Sequence, residues 1–247
     1  MKAMILAAGL GTRLRPFTNT KPKALLQVGP YTLLEFAIKK LKKHGFNDII
    51  INLHHLADSV VEYLAVNNSF GCRIHFSYEL DELLDTGGGI KNAAPFFTNG
   101  ENASKAFLVY NADIVSDINL TRVYDFHLES GNLATVVVRR RESSRYLLFD
   151  EYMQLTEWQN TAKGLRKIVR LTEKPPRPFA FSGIHVINPE IFSLFPTGKV
   201  FSIIDAYLEI GKNHRIGGYV DENPLFADAG KPESFKVAGE IAGKIIL

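Results

Sequence analysis

Over its first eighty residues the chain alternates short strand-like runs with helical segments, and this alternation constrains the fold more than any other feature. Residues 2–6, Lys-Ala-Met-Ile-Leu, read as a short buried strand. Thr32 and Glu35 form a T-x-x-E capping box, and Leu34, Ala37, Ile38 and Leu41 follow at i, i+3, i+4 and i+7. Lys39, Lys40, Lys42 and Lys43 occupy the opposite face, and Gly45 is a fitting stop for that helix. Residues 48–53 are the next strand, 57–67 a second helix and 73–78 a third strand. A β-α-β-α-β order predicts a parallel sheet covered by helices on both faces, because parallel strands need crossover connections and bury both sides.

Further along, residues 106–110 predict another apolar strand that ends at Asn111-Ala112-Asp113. Residues 120–127 predict a helix and 134–138 a strand. From 145 to 187 the pattern changes to short strand-like pieces, 146–149, 153–157 and 167–171, separated by polar turns. This predicts a mixed-sheet extension lying as a lid on the parallel core. Residues 189–195, 203–211 and 232–246 predict helices.

The chain has 247 residues, which at about 150 per domain suggests one large α/β domain. The expected organisation is therefore a single domain over 1–247. Within it, 1–140 form the core, 141–230 the portion that carries the lid, and 231–247 a C-terminal helix. Twenty-nine Lys and Arg against 26 Asp and Glu give a net charge of +3, too mild to imply nucleic acid or a membrane surface as partner. The single cysteine, Cys72, excludes an internal disulfide framework. The apolar start is cut short by Gly9, Gly11, Arg13 and Arg15, and no apolar run approaches 18 residues. A soluble cytoplasmic protein is the expectation.

The chemistry is concentrated in residues 7–22. The stretch Leu6-Ala7-Ala8-Gly9-Leu10-Gly11-Thr12-Arg13-Leu14-Arg15-Pro16 follows a strand directly and leads to Lys21-Pro22-Lys23. Glycines at such a position let backbone approach a phosphate. A Walker loop is absent, because G-x-x-x-x-G-K-[ST] does not occur. A dinucleotide loop would need a third glycine where Leu14 stands, and an acidic residue about 20 positions on at a strand end. Glu35 is near that offset but belongs to the helix. In place of these features Arg13, Arg15, Lys21 and Lys23 put four cations within eleven residues, suited to a polyphosphate.

Gly9-x-Gly11-Thr12-Arg13-Leu14-x-Pro16 with Pro22-Lys23 resembles the signature of the sugar-1-phosphate nucleotidyltransferases, with Ala24 where the family commonly has proline. The resemblance extends through Leu84-Asp85-Thr86-Gly87-Gly88-Gly89-Ile90. That wording is similar to the short bacterial branch of N-acetylmuramate-1-phosphate uridylyltransferases and mannose-1-phosphate guanylyltransferases. It implies a Rossmann-like α/β fold, mostly parallel, with a small mixed β lid. It implies that Leu6, Ala8, Gly9, Gly11, Thr12, Arg13, Lys23, Gly87 and Gly88 bind the nucleotide, the glycines at 87–89 meeting a base with their backbone.

Asn111-Ala112-Asp113 resembles the family's N-G-D, and Phe226-Ala227-Asp228-Ala229-Gly230-Lys231-Pro232-Glu233 its W-x-D-[IV]-G-T-P-E. By that resemblance Asp113 and Asp228 hold Mg²⁺, a hard ion suited to carboxylate and phosphate oxygens. Thr172-Glu173-Lys174-Pro175 and Phe181-Ser182-Gly183-Ile184 supply the sugar side: Glu173 for hydroxyls, Lys174 for the sugar phosphate, Gly183 through its backbone, with Asn111 beside the sugar or ribose. Arg13, Lys23 and Asp113 are the implied catalytic residues. The implied reaction joins a nucleoside triphosphate to a sugar 1-phosphate and releases pyrophosphate. UTP with N-acetylmuramate 1-phosphate or a related sugar leads, and a GTP-dependent mannose or heptose enzyme is the alternative. The expected state is a monomer or small homo-oligomer. The resemblance covers nearly the whole chain, leaving no room in it for the β-helix acyltransferase domain of some longer relatives. Two readings from other classes stay open: a catalytically silent nucleotide-sugar regulator, and a cytidylyltransferase acting on a lipid or polyol phosphate.

His54-His55 do not suggest a shared ion, since adjacent residues on an extended chain point to opposite faces. Arg139-Arg140-Arg141 reads as a solvated face or a subunit contact. Trp158 has no assigned role.

Overall fold

The computed structural model describes residues 1–99 and 105–247, which form two compact units. The first unit comprises Met1–Asp85, Val109–Thr121 and Asn223–Leu247; the second comprises Thr86–Leu108 and Arg122–Glu222. The expected subdivision at residues 140 and 230 is one of sequence, whereas these units interleave along the chain.

In the first unit, β1 (Lys2–Leu6) pairs in parallel with β4 (Asp48–Leu53), and β4 pairs in parallel with β5 (Arg73–Tyr78). Strand β6 (Phe107–Asn111) neighbours β1 on its other side. Ala3, Met4, Ile5 and Ile49–Ile51 are fully buried. That explains why these strands read as continuous apolar runs rather than alternating ones. Helix α1 (Leu33–Lys43) starts as its sequence predicts, with Thr32 Oγ1 accepting from the Glu35 N–H at 3.1 Å. Only that half of the capping box forms. The Glu35 carboxylate instead accepts from the Tyr63 hydroxyl at 3.2 Å and pairs with Lys39 at 2.7 Å. Helix α2 (Ala57–Val66) follows β4.

Short strands β2 (Gln27–Val28) and β3 (Tyr31–Thr32) make a hairpin, and β7 (Ile114–Ser116) pairs antiparallel with β14 (Phe226–Asp228). Helix α7 (Pro232–Lys244) follows β14. Val28, Leu33, Phe36, Val115, Ala227, Ala238, Ile241 and Ala242 pack into one cluster, so chain from three distant stretches shares a core. Gly29, at φ +57°, sits where a Cβ would lie 2.5 Å from the Gly239 carbonyl oxygen. The hairpin and α7 therefore meet backbone to backbone.

The second unit is built on β12 (Arg177–Ile187), which pairs antiparallel with β8 (Ala134–Arg139) and β9 (Arg145–Phe149). Strand β10 (Leu155–Asn160) pairs antiparallel with β9 and with β11 (Leu165–Ile168), while β13 (Ile216–Val220) runs parallel to β8. Its helices are α3 (Asp85–Asn92, apart from Asp85), α4 (Pro95–Thr98), α5 (Leu120–Ser130, from Arg122) and α6 (Ile203–Ile210).

Several elements differ in bounds or type from the sequence reading, and two of the shifts have a visible cause. The strand expected at 153 begins at Leu155, because Asp150 Oδ1 accepts from the Tyr152 and Gln154 amides (2.9 and 2.8 Å) and turns the chain through Met153 at φ +56°. The strand expected over 167–171 ends at Ile168, because the Val169 and Arg170 amides both turn onto the Thr156 carbonyl. Residues 189–194 form a 3₁₀ helix rather than an α-helix. The architecture is nonetheless mixed α/β with a mostly parallel central sheet flanked by helices, as expected.

This packing can be tested through stability at two places. Gly29→Ala places a methyl against the Gly239 carbonyl in left-handed backbone. It should cost about 2 kcal/mol or more and lower the thermal midpoint by roughly 4–8 °C; an unchanged midpoint contradicts the close contact. Burial holds the imidazole of His185, bonded through Nδ1 to the Tyr207 hydroxyl at 2.5 Å, at a pKa of about 3 against 6.5 when unfolded. Below the unfolded value the unfolded chain takes up a proton that the folded chain refuses, so stability falls as pH drops from about 6.5 towards 3. His44, lowered to about 4, acts in the same direction. Thermal melts of His185→Gln across this window should be flatter with pH than those of the wild type.

Candidate active site

The first unit gathers its polar groups where β1, β6 and β14 end. The Ala112 N–H donates to the Leu6 carbonyl at 3.1 Å, tying the end of β6 to the end of β1. The Ala229 N–H donates to the Asp113 carbonyl at 2.8 Å, and Asp228 stands opposite Ile114 in the β7–β14 pair. Two carboxylates far apart in sequence are thus held side by side by backbone hydrogen bonds.

Gly230 marks their meeting point. A Cβ built there would lie 2.8 Å from Asp228 Oδ1, 3.5 Å from Asp113 Oδ2 and 3.6 Å from Arg13 Nη2. The Gly230 N–H also donates to Asp228 Oδ1 at 2.9 Å. Lys23 Nζ binds Asp113 Oδ2 directly, both side chains about four-fifths buried at 16% and 21% exposure. Arg13, Lys23, Asp113 and Asp228 therefore converge. Two carboxylates side by side repel unless cations offset them, and partial burial strengthens both effects.

The loop that carries Arg13 and Lys23 is shaped by its own packing. Gly11 is left-handed at φ +61°, and a Cβ there would press on Thr18 Cγ2 at 2.8 Å and Lys23 Cβ at 3.1 Å. Thr18, itself buried, donates through Oγ1 to the Gly11 carbonyl at 2.9 Å. Leu14 is 1% exposed and pins the 3₁₀ turn Thr12–Leu14, while Arg13 faces outward. Ala8 is buried beneath the loop, and Gly9 has open space where a Cβ would be. Ala24 is buried within the 3₁₀ turn Lys23–Leu25, so the residue standing for the family's proline is packed inside. Ala112 is also buried, its methyl accommodated. Beside this loop a cavity of about 380 Å³ is lined by Leu10, Arg15, Thr18, Asn19 and His55.

In the second unit, Gly87 and Gly88 lie in the first turn of α3, but both amides donate to the Phe201 carbonyl at 2.9 and 3.1 Å. A Cβ on Gly87 would lie 2.4 Å from the Phe201 ring. The sequence reading brings the backbone of these glycines to a base. Here their amides are directed at Phe201, and the glycine at 87 has a packing reason. Gly183 is left-handed at φ +73°, inside the bulge where β12 slips against β8 between Phe181 and His185. Glu173 and Lys174 are exposed, with Lys174 paired to Glu151. Asn111 is half-buried at the end of β6, in the first unit.

Arg139–Arg141, read as a solvated face or a subunit contact, are solvated only in part: Arg140 is exposed, while Arg139 and Arg141 are half-buried. Arg139 pairs with buried Asp221 at 3.5 Å, Arg140 lies 5.7 Å from the Phe179 ring, and Arg141 donates to the Phe181 carbonyl at 3.1 Å. Burial pushes the Cys72 thiol up, away from a reactive thiolate. Among the described residues no group of three or more His, Cys, Asp or Glu is arranged to hold a metal, and no helix is long and apolar enough to cross a membrane. Asp113 and Asp228 nonetheless offer hard oxygens side by side. That donor set fits Mg²⁺, which completes its shell with water and substrate oxygens.

Gly230 is the sharpest test of this geometry, because its backbone is not left-handed and an alanine methyl there would press on the end of the Asp228 side chain, 2.8 Å away, rather than on backbone. Gly230→Ala should keep the fold yet bind or turn over a phosphate ligand about 10²-fold less well, since its methyl enters the space between Asp228, Asp113 and Arg13. Unchanged behaviour in any phosphate-dependent assay would remove that point from the site.

Comparison with known proteins gives the family of the chain. The model of the family described as nucleotidyl transferase matches residues 2–239. A UTP–glucose-1-phosphate uridylyltransferase of Synechocystis sp. is 32% identical over 219 residues, covering 82% of this chain; the chain spans about half of that relative's length, 53%. An N-acetylmuramate alpha-1-phosphate uridylyltransferase of Neisseria meningitidis is 29% identical over 243 residues, covering 98% of this chain and 99% of the relative. Among solved structures, a Bacillus anthracis protein assigned as a glucose-1-phosphate thymidylyltransferase superposes with a TM-score of 0.80 at 21% identity, covering 100% of this chain and 97% of that one. With a family model spanning nearly its full length, the chain belongs to the nucleotidyl transferase family.

Proposed function

We propose that this chain transfers a nucleotidyl group from a nucleoside triphosphate to a sugar 1-phosphate, with Mg²⁺, UTP and N-acetylmuramate 1-phosphate or a close relative being the leading pair. The observation that carries the reading is the convergence of Arg13, Lys23, Asp113 and Asp228 on one point beside Gly230. The full-length match to the meningococcal uridylyltransferase supports the choice of base and sugar.

In this reading a phosphate oxygen of the sugar 1-phosphate attacks the α-phosphorus. The bond from that phosphorus to the oxygen bridging to the β-phosphate breaks, and pyrophosphate leaves with the electron pair. The nucleophile is already an anion, so the site needs no Ser–His or Cys–His pair. Its task is positioning and charge neutralisation. Arg13, exposed at the loop, binds the departing pyrophosphate through its planar fork. Lys23 offsets charge beside the α-phosphate, held in place by Asp113. Lys174 receives the sugar phosphate, and Glu173, Gly183 and Asn111 orient the sugar. Exchanging the exposed pair of Lys174 with Glu151 for a substrate phosphate costs little, because such pairs are weak. Mg²⁺, when bound to Asp113 and Asp228, supplies positive charge to the reacting phosphate oxygens. Cytoplasmic location follows from the substrates this reading assigns.

The test is pyrophosphate release from each common nucleoside triphosphate with Mg²⁺ and a panel of sugar 1-phosphates. One pair should give turnover that chelation abolishes. Lys23→Ala and Asp113→Asn should each lose about 10²–10³ in kcat while melting like the wild type. Near-normal turnover in either variant removes that residue from the reacting centre. Triphosphate binding with no pyrophosphate across the panel overturns the activity in favour of a binding protein.

A further inference from the structure

A second polar assembly lies in the first unit and takes no part in the chemistry proposed above. Asn52, in β4, and Glu79, just after β5, are each only 3% exposed. The Ala7 N–H donates to Asn52 Oδ1 at 2.7 Å. Asn52 Nδ2 donates to Glu79 Oε1 at 2.7 Å, and Glu79 Oε2 accepts from the Leu84 N–H at 2.8 Å. The Glu79 backbone is fixed as well: its N–H donates to the Leu53 carbonyl at 2.8 Å, and its carbonyl meets His54 Nδ1 at 2.6 Å.

The ends of this polar chain fall at informative places. Ala7 is the first residue of the glycine-rich loop, immediately after β1. Leu84 immediately precedes α3, whose first turn holds Gly87 and Gly88. The two segments are remote in sequence, yet one amide and one carboxylate join the backbone where each begins. A buried carboxylate is costly unless its oxygens are bonded, and an apolar pair would fill the same space without that cost. What an apolar pair cannot do is satisfy the Ala7 and Leu84 amides at fixed positions.

We propose that Asn52 and Glu79 are positioning residues that hold Ala7, at the start of the glycine-rich loop, in register with Leu84, just ahead of α3, so that a nucleotide meets a loop already ordered to receive it. The inference rests on the nucleotidyl-transfer reading for its kinetic readout and stands independently in its exchange readout. Preorganisation of this kind strengthens binding by removing the cost of ordering loops.

The donors and acceptors prescribe the experiment. Asn52→Asp turns two carboxylates on each other. Glu79→Gln leaves an amide N–H facing either the Asn52 amide or the Leu84 N–H. The double variant, Asn52→Asp with Glu79→Gln, restores a full set. The carboxylate now at position 52 accepts from the Ala7 N–H and from the side-chain amide now at position 79, whose carbonyl accepts from the Leu84 N–H. Each single variant should raise KM for the triphosphate about tenfold or more, the effect of one unsatisfied buried polar group. At the same time kcat and KM for the sugar 1-phosphate should stay within about threefold, and amide exchange should quicken over residues 5–14 and 80–90 together. The double variant should return both readouts to within about threefold of wild type. Asn52→Ser, which leaves Glu79 intact, serves where a single variant fails to fold, and should raise the same KM and quicken exchange in the same two segments.

Singles with unchanged KM and exchange overturn the proposal. So does a double variant no better than its worse parent, or a joint loss of kcat and both KM values with lowered stability. If the wild type turns over no pair at all, the activity reading fails. The paired exchange response, slowed again in the double variant and slowed further in the wild type by Mg·UTP, then decides the brace alone.

Discussion

Everything at the site depends on backbone pairing that forces two carboxylates together. Strand β14 lies antiparallel to β7, and the Ala229 amide reaches back to the Asp113 carbonyl, so Asp228 and Asp113 cannot separate. Placing two negative charges side by side is unfavourable, and the first unit answers with Lys23 on Asp113 and Arg13 beside the same point. The cations come from a loop whose shape is set by Gly11 packed on Thr18 and Lys23, and by buried Leu14. The arrangement is thus balanced in charge before any ligand arrives, and it is suited to receiving more negative charge together with a metal ion.

The supporting structure is less charged and more rigid. The hairpin at Gly29 and helix α7 touch through backbone, and the cluster from Val28 to Ile245 joins them to β7 and β14. The strand that delivers the loop buries Ala3, Met4 and Ile5 completely, and the groups of the candidate site stand beyond strand ends. Asn52 and Glu79 carry polarity inside the unit and attach it to the backbone at Ala7 and Leu84. The chemistry stands at strand ends, where open α/β sheets commonly bind ligands.

Much of this was legible in the sequence, for identifiable reasons. The parallel strands were readable because burial on both faces leaves continuous apolar runs, and α1 because its cap and its 3.6-residue period agree. Arg13, Lys23, Asp113 and Asp228 were readable because each sits in a short motif with a stated chemical use. The register in the second unit was not, because it depends on Asp150 capping two amides and on Thr156 accepting two more. The role of Gly87 was half hidden: its lack of a side chain is demanded by Phe201, a contact no local pattern encodes. Asn52 and Glu79 carry no motif at all. Their one sequence signal is a polar residue ending an otherwise apolar strand and a glutamate shortly before a glycine run. The arginines at 139–141 misled because a run of charge looks solvated, while each finds a separate partner in the fold.

The central claim is that Arg13, Lys23, Asp113 and Asp228 form one metal- and triphosphate-binding centre. Crystals grown with Mn²⁺ and a non-hydrolysable nucleoside triphosphate test it directly through the anomalous signal of the metal. The account predicts a peak within coordination distance of both Asp113 and Asp228, with the phosphates lying against Arg13 and Lys23. A metal and triphosphate bound elsewhere, with the Lys23–Asp113 pair undisturbed, would contradict it.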